Sequence, residues 1–149
     1  MHDGPRPLFG VGYQGRDVGQ LVAALLAARV ETVVDVRLNP ISRRPGFSKG
    51  PLSAALSDVG IGYVHERTLG NPPENRAAFA SRDRARAHQA LRARLTGEGA
   101  AAMERLVALT ARQRVAVLCL ERDRTECHRA VILERARGLD PRIAVRDIG

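Results

Sequence analysis

The chain has 149 residues, of which 44% are hydrophobic and only 3% aromatic, with no tryptophan and a formal charge of +8. That length suits one domain that buries a full core without disulfides or metals, and the core must be aliphatic. No apolar run approaches the roughly 20 residues of a membrane span, and residues 1–7 lack the apolar segment of a signal peptide, so a cytoplasmic protein with reduced thiols and no membrane partner is expected.

The positive charge invites a nucleic-acid partner, because clustered cations gain affinity by releasing counterions from phosphates. Its distribution tempers that reading. Lys49 is the only lysine, and 23 of the 24 basic residues are arginines spread from Arg6 to Arg146, a pattern that codon usage produces as readily as selection for phosphate contact. Few aromatics are available for base stacking, which weighs against a single-strand binder.

In chain order, residues 1–7 read as a loose leader. Leu8 to Tyr13 forms a short strand, Gly15 and Arg16 turn the chain, and Asp17 caps a helix to about Ala28, because Val18, Leu21, Val22, Leu25 and Leu26 share one face. Thr32 to Arg37 is a buried β-branched strand, and strand, helix, strand at this spacing is a βαβ unit with parallel strands. Leu38 to Pro51 breaks the pattern, with Pro40, Ser42, Arg43, Arg44, Pro45, Gly46, Phe47 and Ser48 in a loop of a length more often functional than idle. A short helix follows from Pro51 to about Leu56, ended by Gly60, and then a strand, Ile61 to His65. Ala77 to Leu95 alternates Arg with Ala, which reads as a solvent-facing helix. After Gly97-Glu98-Gly99, an amphipathic helix continues to about Ala111. An apolar strand near Arg114 to Leu120, a helix from about Glu126 to Arg137 and a last strand, Ile143 to Arg146, complete one domain over residues 1–149. The alternation predicts a three-layer α/β/α sandwich with a largely parallel sheet of about five strands.

In open α/β sheets, ligands bind outside the carboxyl ends of the strands, and the unusual polar residues fall there. Asp35 and Arg37 flank Val36, so alternation puts their side chains on one face, either as an internal ion pair or with Arg37, together with Arg43 or Arg44, clamping an anion. Both cysteines lie near the last such end. Cys127, with His128 and Arg129, sits where a helix begins, a setting that lowers a thiol pKa and binds anions, whereas Cys119 ends an apolar run and reads as a small hydrophobe that shapes the site.

No CxxC pair exists, and neighbouring Cys127 and His128 project in different directions from a helix, so no metal is expected. Leu120 to Asp123 follows Cys119 with a carboxylate and no glycine, against an anion-cradling cysteine loop. The glycines from Gly10 to Gly15 match neither the dinucleotide nor the P-loop pattern, and no cofactor is expected.

Taken together, Gly12 to Arg16, Val34 to Arg37 with Pro40, Ser42-Arg43 and Gly46 to Ser48, Gly60 to Tyr63, Leu69-Gly70, Cys119 to Glu121 and Cys127 to Arg129 resemble the domain of unknown function 488 family, from about Leu8 to Arg137. The resemblance implies a bacterial or archaeal α/β protein without an established activity. It groups Tyr13, Arg16, Asp35, Arg37, Ser42, Arg43, Phe47, Tyr63, Cys119, Glu121, Cys127, His128 and Arg129 as one constellation.

The leading expectation is an enzyme acting on a phosphate-bearing ligand, a nucleotide or nucleic acid, with Glu121, His128, Cys127 and Asp35 as the catalytic candidates. Tyr13, Arg16, Arg37, Ser42, Arg43, Phe47, Tyr63 and Arg129 would then bind the substrate. The competing expectations are a module that only binds nucleic acid or an anionic metabolite, and a thiol-based redox sensor. Oligomeric state is not legible.

Overall fold

The computed structural model describes residues 5–72, 75, 84–121 and 128–149. Among these residues five strands form one sheet: β1 (Arg6–Gly12), β2 (Thr32–Asp35), β3 (Gly62–His65), β4 (Val115–Cys119) and β5 (Ile143–Ile148), in the order β3-β2-β4-β1-β5 with every pairing parallel. Among the described residues the helices are α1 (Val18–Ala27), α2 (Lys49–Asp58), α3 (Arg84–Thr96), α4 (Ala100–Thr110) and α5 (Arg129–Leu139), with a 3₁₀ turn at Arg67–Leu69. This is the expected α/β sandwich.

Strand alternation sorts the core into two layers. Phe9, Val11, Val33, Ala116 and Leu118 pack with Leu21 and Leu25 of α1 and Leu52 and Leu56 of α2. Leu8, Val34, Val36, Val115, Val117 and Cys119 face the other way, onto α3, α4 and α5. The central strand β4 is buried along its whole length, which is why it reads as an unbroken apolar run rather than an alternating one.

Several local expectations hold. Asp17 caps α1 in a complete capping box with Gln20, the Asp17 side chain accepting from the Gln20 N–H at 2.7 Å and the Gln20 Oε1 accepting from the Asp17 N–H at 2.8 Å. Gly60, just past the end of α2, has φ +79°, a conformation that costs other residues more.

Two expectations change, and one is borne out with a strand order the sequence left open. β1 begins at Arg6, inside the supposed leader, because the Arg6 N–H donates to the Arg142 carbonyl at 2.8 Å and its guanidinium pairs with Asp140 at 3.1 Å. β1 and β2 are parallel, as expected, each pairing with β4, which lies between them. The described part of the Arg-Ala helix is not solvent-facing. Ala87, Leu91 and Leu95 of α3 are buried in the core while Arg86 and Arg92 stay exposed; a stripe one residue wide, repeating every fourth position, is enough to dock it.

Candidate functional site

The C-terminal ends of the strands gather most of the expected residues, but on opposite faces of the sheet. On the α1/α2 face, Asp35 is fully buried and surrounded by donors. Arg37 Nε donates to its two oxygens at 2.9 and 3.1 Å, Arg37 Nη2 to Oδ2 at 2.7 Å, the Arg37 backbone N–H to Oδ1 at 3.0 Å and the Tyr63 hydroxyl to Oδ2 at 2.5 Å. Arg37 Nη1 donates to the Phe47 carbonyl at 2.6 Å and to the Tyr13 hydroxyl at 3.4 Å. The Tyr13 and Phe47 rings stack at 4.4 Å, with the Arg37 guanidinium 5.4 Å from the Tyr13 ring centre.

The electrostatics follow from this packing. Burial alone would lower the Arg37 pKa, but the hydrogen bonds and charge of Asp35 outweigh it and hold Arg37 above the ordinary arginine value. Burial, then donation to the Asp35 carboxylate, pushes the Tyr63 hydroxyl well above its ordinary value of 10. Tyr63 is therefore a phenol throughout the physiological range and serves Asp35 as a donor.

This cluster controls the chain that leaves β2. Val36 N–H donates to the Leu118 carbonyl at 3.1 Å, His128 Nε2–H to the Val36 carbonyl at 2.9 Å and His65 Nε2–H to the Arg37 carbonyl at 2.7 Å. Arg67 Nη1 donates to the Leu38 carbonyl at 3.2 Å. A Cβ on Gly70 would lie 2.5 Å from the Leu38 Cα, so only glycine lets these two backbones touch. With a carbonyl as partner, each histidine carries its proton on Nε2.

The loop that follows is closed by its own hydrogen bonds. Lys49 N–H reaches the Pro40 carbonyl at 2.8 Å, Ser42 N–H reaches Ser48 Oγ at 3.0 Å and Arg44 N–H reaches Ser42 Oγ at 3.1 Å. Gly46 turns it at φ +87°, against Val18. Arg44 donates to the Arg16 carbonyl at 2.5 Å and lies 5.8 Å from the Phe47 ring centre. Arg43 is exposed. Arg16 itself is buried, tying the Gly12 carbonyl to that of Ile148, both at 3.2 Å.

On the α5 face, Arg129 is 1% exposed. Its Nη1 lies 3.0 Å from Cys119 Sγ and donates to the Glu121 carbonyl at 2.5 Å. Gly10 makes room for it: a Cβ there would meet Leu133 Cδ1 at 2.9 Å and Arg129 Nε at 3.1 Å. Glu121 is half-buried at the end of β4. Cys119 is engaged in a disulfide, which corrects the expectation that both thiols are reduced. Cys127 lies outside the described residues.

Among the described residues, no group of three or more His, Cys, Asp or Glu is placed to hold a metal ion, and no helix is long and apolar enough to cross a membrane. A cavity of about 280 Å³ between α3, α5 and β5, lined by His88, Val131, Glu134, Arg137 and Val145, includes none of the expected site residues.

Sequence reasoning gave no role to Gly10, Gly70 or Arg67, which shape the backbone around these residues. The glycines carried a signal. Gly10 breaks an otherwise bulky strand, and Gly70 follows a buried leucine where a second backbone approaches.

A parallel sheet sandwiched between helices, with a polar loop cluster over its carboxyl end, defines an α/β protein. The family model for the domain of unknown function DUF488 matches residues 17–136, and the chain belongs to that family. No curated protein and no solved structure shows significant similarity to it.

Proposed function

We propose that the carboxyl end of the sheet binds a phosphate-bearing ligand, a nucleotide or nucleic acid, through the Leu38 to Lys49 loop. The observation that carries this reading is the contrast inside that loop. Arg37, Tyr13, Tyr63 and Phe47 spend their polar groups and ring faces on one another, while Arg43, Arg44 and Lys49 stand exposed on the frame they build. A preorganised loop binds with less ordering cost than a floppy one, and guanidinium groups suit phosphate oxygens. In this reading Arg37, Arg129, Tyr13 and Phe47 hold the site rather than touch the ligand, and Ser42 shapes the loop.

Catalysis on the bound ligand needs a group that moves a proton, and our candidate is Glu121, half-buried at the end of β4, whose backbone carbonyl accepts from Arg129. Equilibrium dialysis with ATP, and separately with a short oligonucleotide, tests binding. Arg43→Gln weakens both and leaves the fold intact. Affinity that stays flat between low and physiological salt, or does not respond to Arg43→Gln, overturns the proposal. Turnover of a candidate substrate that survives Glu121→Gln overturns the catalytic part.

The disulfide at Cys119 favours a second reading, a thiol redox sensor. Disulfides in the cytoplasm, the location expected from the sequence, are mostly transient or regulatory, and Arg129 Nη1 at 3.0 Å from Sγ would stabilise a thiolate there after reduction. Reduction by a glutathione buffer at cytosolic poise, followed by thiol labelling and the same dialysis, checks it. A bond that resists that buffer, or a ligand affinity indifferent to reduction, removes this reading.

A further inference from the structure

The same loop carries a second unusual feature. Ile41 is 79% exposed, whereas the other exposed large aliphatic residues among the described ones reach at most 47%. A lone apolar residue on a surface is ordinary; the setting of this one is not. It projects between Pro40 and Ser42 from a loop closed at both ends, with its own N–H donating to the Asn39 carbonyl at 2.8 Å, so it cannot fold back onto the core without breaking that frame. From Leu38 to Lys49 the chain has three cations and no carboxylate, and exposed Arg67 joins them, its Nη1 donating to Asn39 Oδ1 at 3.0 Å.

We propose that this loop is a wedge and clamp for a nucleic-acid duplex: Ile41 enters a groove and presses on the base-pair edges or between two steps, while Arg43, Arg44 and Arg67 take the flanking phosphates. Aliphatic wedges set among arginines are a recurrent way to grip and kink duplex DNA. Unpaired strands call instead for exposed rings on which bases stack, and here Tyr13 and Phe47 are buried at 3% and 1% exposure and stack on each other. An anionic membrane also attracts cations beside an apolar tip, but one isoleucine inserts far less apolar surface than stable anchoring requires. The inference rests on the phosphate-ligand reading above and narrows it from nucleotides in general to a duplex.

Fluorescence anisotropy of a labelled duplex, its single strand and ATP, with the full chain and with vesicles containing phosphatidylserine as a separate arm, tests the proposal. The duplex binds more tightly than the single strand or ATP. Ile41→Ser, at an exposed position that leaves the fold intact, lowers duplex affinity by about tenfold without changing the slope of log affinity against log salt. Arg43→Gln flattens that slope by about 1. Circular dichroism confirms that both variants are folded. If ATP binds and responds to Arg43→Gln but the duplex does not bind, or Ile41→Ser has no effect on the duplex, the wedge is wrong and the phosphate site stands. Equal or tighter binding of the single strand overturns the duplex, and tighter binding to vesicles than to the duplex overturns the nucleic acid. If neither ATP nor any oligonucleotide binds, both readings fall.

Discussion

The two faces of the sheet solve the same problem in different ways. Each buries an arginine at the carboxyl end of the strands. On the α1/α2 face Arg37 meets a carboxylate, Asp35, in a two-pronged pair completed by Tyr63, Tyr13 and the Phe47 carbonyl. On the α5 face the described partners of Arg129 include a sulfur and a backbone carbonyl, and space for it comes from Gly10. The first arrangement neutralises charge with charge and locks a loop; the second places a cation against a disulfide-bonded cysteine and the backbone carbonyl of Glu121. A charge-paired frame on one face therefore stands beside a cation held by sulfur and backbone on the other.

The largest effect should come from breaking the frame. Asp35→Ala leaves the Arg37 guanidinium buried without its counter-charge, a change that costs about 3–5 kcal/mol, whereas an apolar replacement of both partners is often much better tolerated. Denaturant unfolding of Asp35→Ala and of the double variant Asp35→Ala with Arg37→Met measures both. The double variant should recover a large part of the loss, and a double variant as unstable as the single one would mean that Arg37 is not the source of the penalty.

Next in size is Tyr63→Phe, which removes one hydrogen bond to a carboxylate, about 1.5–3 kcal/mol. It also has a pH signature. The Tyr63 pKa is raised in the folded protein, so its contribution is complete below about pH 10 and is lost as pH climbs toward the folded value. Wild type should lose stability above pH 10 more steeply than Tyr63→Phe, and the absorbance change near 295 nm on alkaline titration should lose a late component in the variant. Parallel pH profiles would show that Tyr63 is not held as a phenol by Asp35.

Gly10→Ala probes the other face. The added methyl presses on Leu133 and Arg129 and should cost about 1–3 kcal/mol by overpacking. Because it displaces Arg129, it should also perturb the Cys119 and Glu121 surroundings, read as altered reducibility of the disulfide. Asp35→Ala, on the opposite face, should leave that reducibility nearly unchanged. If both variants change it alike, the two faces are one coupled unit.

The fold was legible because burial leaves a period. β-branched runs marked β2 and β4, the spacing of Leu21 and Leu25 marked α1, and Asp17 announced its own cap. Strand order was not legible, since nothing local tells β4 to enter between β1 and β2. The polar residues at the strand ends were legible as a set and not as an arrangement. Alternation put Asp35 and Arg37 on one face, but which face Arg129 uses depends on how α5 crosses β1, a property of the packed layers. The depth of α3 was hidden for a related reason: alternating Arg and Ala masks a stripe as narrow as Ala87, Leu91 and Leu95.

The smallest stability effect sharpens the comparison most. Arg43 is exposed on the loop and outside the buried pair, and surface substitutions of this kind change stability by about 0.5 kcal/mol or less. Arg43→Ala should therefore unfold at the wild-type denaturant midpoint while losing affinity for phosphate-bearing ligands. That combination is the inverse of Asp35→Ala, where affinity falls because the loop that presents Arg43 is no longer held. Comparing the two under conditions where both are folded separates frame from contact. If Arg43→Ala destabilises the protein as much as Tyr63→Phe does, Arg43 belongs to the frame, and the division of labour between the buried and exposed arginines fails.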